Sequence, residues 1–193
     1  MNSITTKANN NALFRHFISP SLTFLIFFSF QLSISQSREL ETTGDIILYS
    51  LPLTALTATL LIKDREGTKQ FAKGFLVNQA LTFSLKAIVK KERPDGDGFD
   101  SFPSGHTSTA FQSAAFIQKR YGWKYGVPAF ALAGLTGYSR INADRHDFTD
   151  VLFGTIIGIG SSYLFTTPYQ RKHYQLTFSG GYENFAIGFK YNF

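Results

Sequence analysis

The chain has 193 residues, enough for one domain with a core of its own. Hydrophobic residues make up 44% and charged residues 17%, with 21 Phe and 9 Tyr, which excludes a disordered chain. The formal charge is +6 and cysteine is absent, so disulfides, thiol catalysis and cysteine metal sites are excluded; the scattered basic residues form no nucleic-acid-binding stripe.

The N-terminus reads as an export signal over 1–35. Lys7 and Arg15 precede the apolar run "LTFLIFFSF" at Leu22–Phe30, and small residues follow at Ser33 and Ser35. The alternative is an uncleaved membrane helix over roughly 17–35. Removing 1–35 leaves the charge positive, which favours anionic partners. The mean hydropathy of −0.04 is low for a chain that is mostly transmembrane.

Residues 36–45 ("QSRELETTGD") are polar and read as loop. Residues 46–62 are nearly all apolar and read as a helix, with Pro52 as a kink point. A charged turn, "KDREG", leads to a mixed apolar and polar helix over 68–91. "RPDGDGFDSFPSG" at 93–105 is loop, rich in Pro, Gly and Asp. Further helices are expected at 105–120, 127–141 and 147–166, with "YGWKYG" as a turn. Gly154, Gly158 and Gly160 would let another helix approach the last of these closely. The tail alternates in pattern about a Gly-Gly pair and reads as a β-hairpin.

The expected fold is therefore all-α: a bundle of about five core helices with a small C-terminal β-hairpin. The expected organisation is 1–35 signal or membrane helix, 36–173 helical bundle and 174–193 hairpin. Basic turns at 63–69, 119–124 and 171–173 alternate with 36–45, 92–105 and 140–147 along the chain. Both histidine-bearing segments thus fall at one end of the bundle, the outer end if the helices cross a membrane.

Three segments carry candidate chemistry. Lys86 and Arg93 are seven apart, which on a helix is one face. Alone, they read most simply as solvated charges, like Lys90 and Lys91 beside them. Ser104 suits a helix N-cap, and Gly105 lets a ligand approach free helix-start amides, an anion site; His106 stands in that first turn. Ser139 and Arg140 close one helix, and His146 and Asp150 follow at i,i+4 spacing, where a carboxylate can orient an imidazole as a nucleophile or base. Asp144 and Asp147 are competing partners for His146. Together the segments supply cations, backbone amides and two histidines, the equipment for a phosphoryl transition state.

At these residues the chain closely resembles the type 2 phosphatidic acid phosphatase and vanadium haloperoxidase superfamily. Its three blocks, K-x6-R-P, P-S-G-H and S-R-x5-H-x3-D, stand here as Lys86–Pro94, Pro103–His106 and Ser139–Asp150. The resemblance covers about residues 45–168. It implies that His146 attacks phosphorus to form a phosphohistidine, that Asp150 orients it and that His106 protonates the leaving group. It also implies that Lys86, Arg93, Ser104, Gly105 and Arg140 bind the phosphoryl oxygens, with no metal. The implied activity is a metal-independent phosphatase, exported to the periplasm or the outer face of a membrane. Substrates left open are lipid phosphates, isoprenoid diphosphates, lipopolysaccharide phosphates and soluble phosphomonoesters. A membrane surface is an expected partner, nucleic acid is not, and a homo-oligomer is compatible with the sequence. The alternatives are a vanadate-dependent haloperoxidase, which the short chain disfavours, and a non-catalytic membrane-associated protein. Vanadate is otherwise expected as an inhibitor.

Overall fold

The computed structural model describes residues 20–169, 174–180 and 185–191, with side chains described over 38–169. Five helices follow in order: α1 (Pro20–Leu61), α2 (Arg65–Val89), α3 (Gly105–Tyr121), α4 (Trp123–Asn142) and α5 (Phe148–Phe165). The Gly-Gly turn and the basic turn at 171–173 lie outside the described residues. The chain divides into two units after Glu39. The first, Met1–Glu39, is described only from Pro20 and is helical there; the second is Leu40–Phe193.

Two of the expected boundaries are corrected. Residues 36–45, expected as loop, lie within α1. Spacing explains this: Glu41 and Asp45, four apart on one helical face, meet Arg145 and Arg140 there, and Gly44 between them leaves room for the Arg140 side chain. "YGWKYG" is not a long turn, because α4 already starts at Trp123. Gly122, at φ 92°, makes the whole corner, and Pro128 sits inside α4.

α3 is central, packed against α4 and α5 and also touching α2. Its contact with α5 rests on glycine. A Cβ on Gly154 would lie 2.6 Å from the Ser104 carbonyl oxygen, and one on Gly158 would lie 2.3 Å from that of Ser108. Gly160 faces open space and plays no part. An apolar cluster joins Ile47, Leu51 and Ala55 of α1 to Phe71 of α2, Phe116 of α3 and Ala129 and Ala133 of α4.

The rest of the interior is polar. Asn78, Thr82, Ser108, Gln112, Ser113 and Ser161 are buried, while large apolar side chains such as Leu53, Leu76, Phe83, Ile88, Ile156 and Leu164 are exposed. Small and hydroxylic residues inside with apolar residues outside is the pattern of helices packing in lipid. Two helical stretches, Arg38–Leu61 and Phe148–Phe165, are long and apolar enough to cross a membrane. At the bundle end away from the histidines, Arg120 is buried against Asp64, with Nη2 to Oδ1 at 2.5 Å and Nε to Oδ2 at 2.7 Å. Arg120 also donates to the Thr167 carbonyl, and Asp64 caps α2 through the Gly67 amide. Read from sequence as part of a basic turn, Arg120 is instead an internal clamp.

Candidate active site

A cavity of about 360 Å³ opens at the other end of the bundle. Its lining brings together Lys86, Arg93, Gly105, His106, Arg140 and His146 of the expected residues. Ser104 and Asp150 lie behind it, both fully buried.

The site is built mostly from helix ends. α2 carries Lys86 in its last turn, and its Nζ donates to the Asp100 carbonyl. α2 then stops at Val89, with Lys90 left-handed at φ 45°. Arg93 therefore does not share a helix face with Lys86. It reaches the cavity from the loop, where its Nε lies 3.0 Å from Asp100 Oδ1. Ser104 is the N-cap of α3, with its hydroxyl accepting from Thr107. That places Gly105 and His106 in the first turn, at the positive end of the helix dipole. A Cβ on Gly105 would meet only ordinary contacts with Lys86 and Thr82 at 3.8 Å, so packing does not require glycine there. Its absent side chain leaves the space above the helix start open.

His146 and Asp150 span the start of α5 rather than sharing its face. Asp147 is the N-cap, and Asp147 and Asp150 form a reciprocal capping box. Of the competing carboxylates, Asp150 stands nearest His146, with Oδ2 3.6 Å from Nδ1. Ser101 bridges them: its hydroxyl donates to Asp150 Oδ2 at 2.5 Å and lies 3.4 Å from His146 Nδ1. Nδ1 thus faces Asp150 and Ser101, and Nε2 is the ring nitrogen left for a ligand. Burial pushes the His146 imidazole down to about 4, helped by the charge of Lys86 and opposed by Asp150. At neutral pH the ring is uncharged and carries a lone pair.

Several contributors have no signal in the sequence. Lys91, grouped with solvated charges, donates to Asp150 Oδ1 at 2.9 Å and Asp147 Oδ2 at 2.5 Å. Burial works against its charge, but the two carboxylates more than offset this and raise its affinity for the proton. Asp147 is correspondingly held well below the usual carboxylate range: burial opposes its charge, and the Lys91 and Thr149 bonds overcome that. From α1, Asp45 Oδ1 accepts from both His106 Nε2 and Arg140 Nη1, each at 3.0 Å. Glu41 accepts Arg140 Nη2 on its carbonyl at 2.5 Å and Arg145 Nε on its carboxylate at 3.0 Å. No group of three or more His, Asp or Glu suited to a metal ion occurs among the described residues.

Two neutral-capable histidines around a cavity rimmed by fixed cations and a helix start define a class, a helical phosphoric ester hydrolase. The model of the PAP2 superfamily matches residues 67–174, and the chain belongs to that superfamily. A lipid A 4'-phosphatase of Helicobacter pylori is 34% identical over 169 residues, covering 79% of this chain and 84% of that protein. A lipid A 1-phosphatase of Porphyromonas gingivalis is 35% identical over 141 residues, 63% of this chain but only 32% of that longer protein. Among solved structures, Aquifex aeolicus LpxE shares the fold at a TM-score of 0.60 with 24% identity, covering 67% of this chain and 84% of that one.

Proposed function

We propose that the protein is a membrane-bound phosphatase of lipid phosphates that works through a phosphohistidine. His146 Nε2 attacks phosphorus in line with the leaving oxygen. Lys86, Arg93, Arg140 and the Gly105 amide carry the phosphoryl oxygens, and Ser104 supports this as the cap that sets the helix start. His106 donates a proton to the leaving oxygen as the P–O bond breaks. A water then attacks the phosphohistidine, His106 takes the water's proton, and phosphate leaves. Asp150, held by Ser101 and Lys91, orients His146. The reading needs no metal, since the fixed cations and helix amides supply the charge.

The observation that carries the lipid assignment is a second cavity of about 410 Å³ that shares Lys86, Gly105 and His106 with the first. Its other walls include Leu48, Tyr49, Pro52, Phe75 and Phe83. An apolar groove that joins the site at His106 suits a leaving group with a hydrocarbon body. The similarity to a lipid A 4'-phosphatase makes a lipid A phosphate the first substrate to test. The site end would face the periplasm or outer leaflet, with residues 1–35 as the export signal, 36–173 as the catalytic bundle and 174–193 as a β-hairpin tail.

The test is phosphate release from lipid A and from phosphatidate in detergent micelles, with 4-nitrophenyl phosphate as the soluble comparison. The reading expects wild-type release that Phe83→Ser reduces for the lipids and spares for 4-nitrophenyl phosphate. It also expects His146→Ala to abolish release and to leave no acid-labile phosphoenzyme. Release by His146→Ala at the wild-type rate would sink it.

A further inference from the structure

We infer that Asp45 is a positioning residue for His106 and acts through the proton donor rather than by touching substrate; this rests on the phosphatase reading above. Three observations carry it. Asp45 Oδ1 accepts a hydrogen bond from His106 Nε2 at 3.0 Å, shorter than the 3.6 Å between His146 and Asp150. The same oxygen accepts Arg140 Nη1 at 3.0 Å, so the guanidinium pins the carboxylate in place. The third is steric: a Cβ on Gly44 would lie 2.1 Å from Ser139 Oγ and 2.8 Å from Arg140 Nη2, so the glycine brings α1 against the cradle and delivers its neighbour Asp45 to His106.

The chemistry follows from the tautomer. With Nε2–H committed to Asp45, Nδ1 is the nitrogen that exchanges a proton with a ligand. A carboxylate on the far side of the ring also stabilises the imidazolium needed at the moment of P–O cleavage. The site then holds two carboxylate-backed histidines, one for attack and one for departure. Asp45 precedes the stretch matched by the superfamily model, 67–174, so this second pair is supplied by a helix outside that stretch.

Leaving-group dependence tests it. Phenyl phosphate and 4-nitrophenyl phosphate are nearly the same shape, but the phenoxide needs a proton on departure far more than the nitrophenoxide does. The full chain in detergent is assayed as wild type, Asp45→Asn and Asp45→Glu, reading the ratio of the two kcat/KM values. A ratio from one preparation is independent of how much of the variant folds. Asp45→Asn is expected to lower the phenyl-to-nitrophenyl ratio about ten-fold, a share of the usual general-acid contribution. Asp45→Glu, which keeps the charge, is expected to restore part of it. An unchanged ratio, whether or not both rates fall, would overturn the inference and leave Asp45 as a tether for Arg140 only. A wild-type chain inactive on these aryl phosphates and on lipid A and phosphatidate alike would overturn the phosphatase reading itself, and the inference with it.

Discussion

Lys91 Nζ lies 2.9 Å from Asp150 Oδ1, and so holds the buried carboxylate that stands behind His146. The opposite oxygen of that carboxylate is taken by Ser101, so Asp150 has little freedom to turn away from the ring.

Removing Lys91 should loosen this arrangement without touching the cavity. A hydrogen bond to a charged group contributes about 1.5–3 kcal/mol. If that acts only on the reacting geometry, Lys91→Ala lowers kcat about ten-fold or more with KM little changed. Lys90→Ala, next door but outside the site, should leave both alone. Steady-state kinetics on one substrate checks the pair, and an equal loss in the two variants would refute the role given to Lys91.

The acid limb of the pH profile should sit low. His146 attacks as the neutral ring, and its affinity for the proton is pushed down from 6.5 to about 4 by burial and by Lys86. Attack competence is therefore full above the depressed value and is lost as pH falls through it. The kcat/KM of the wild type should not fall between pH 6.5 and pH 5, where an ordinary histidine nucleophile would already be protonating; burial and Arg140 also lower the proton affinity of the donor His106, so its protonation works in the same direction as pH falls. An acid limb centred near 6.5 would contradict this.

Gly158 and Gly160 should part company on substitution. A side chain on Gly158 drives into the Ser108 carbonyl, which is backbone and cannot swing aside. Gly158→Val should cost about 1–3 kcal/mol or more, as overpacking does, and also lower activity, because α3 carries His106. Gly160→Ala meets nothing and should be neutral or stabilise by up to about 1 kcal/mol from helix propensity. Thermal unfolding in detergent distinguishes them.

The Asp64–Arg120 clamp should matter for stability and not for chemistry. Asp64→Asn leaves a buried guanidinium without its counter-charge, which costs about 3–5 kcal/mol. Burial alone would raise the Asp64 carboxyl, but the Arg120 and Gly67 bonds hold it below its ordinary value of 3.8. The clamp's contribution is thus present above the unfolded value and is lost as pH falls through the lower folded one. The stability difference between wild type and Asp64→Asn should shrink as pH falls below the ordinary carboxyl value of 3.8. Specific activity per folded molecule should be unchanged.

Much of this protein could be read along the chain. The apolar periodicity located α2, α3 and α5 to within a few residues, because a helix is a short-range object. The three blocks named six residues that line one cavity; five of them stand at or beside a helix end, where backbone geometry sets their position, and Arg93 comes in from the loop after α2. The i,i+4 spacing of His146 and Asp150 proved useful for a different reason than expected: a capping box at the start of α5, not a shared helix face, brings them together.

Local sequence sets most of the helices, the end of the bundle where the chemistry gathers, and the superfamily. Packing alone sets who stands behind each reacting group. Ser101 meets Asp150 across 49 residues, Asp45 meets His106 across 61 and Arg140 across 95. No periodicity connects such positions. Polar residues in a loop or on an apolar helix read as solvated until the helices pack, and a pairing between distant segments exists only once glycines such as Gly44 and Gly158 let the backbones come close enough to make it.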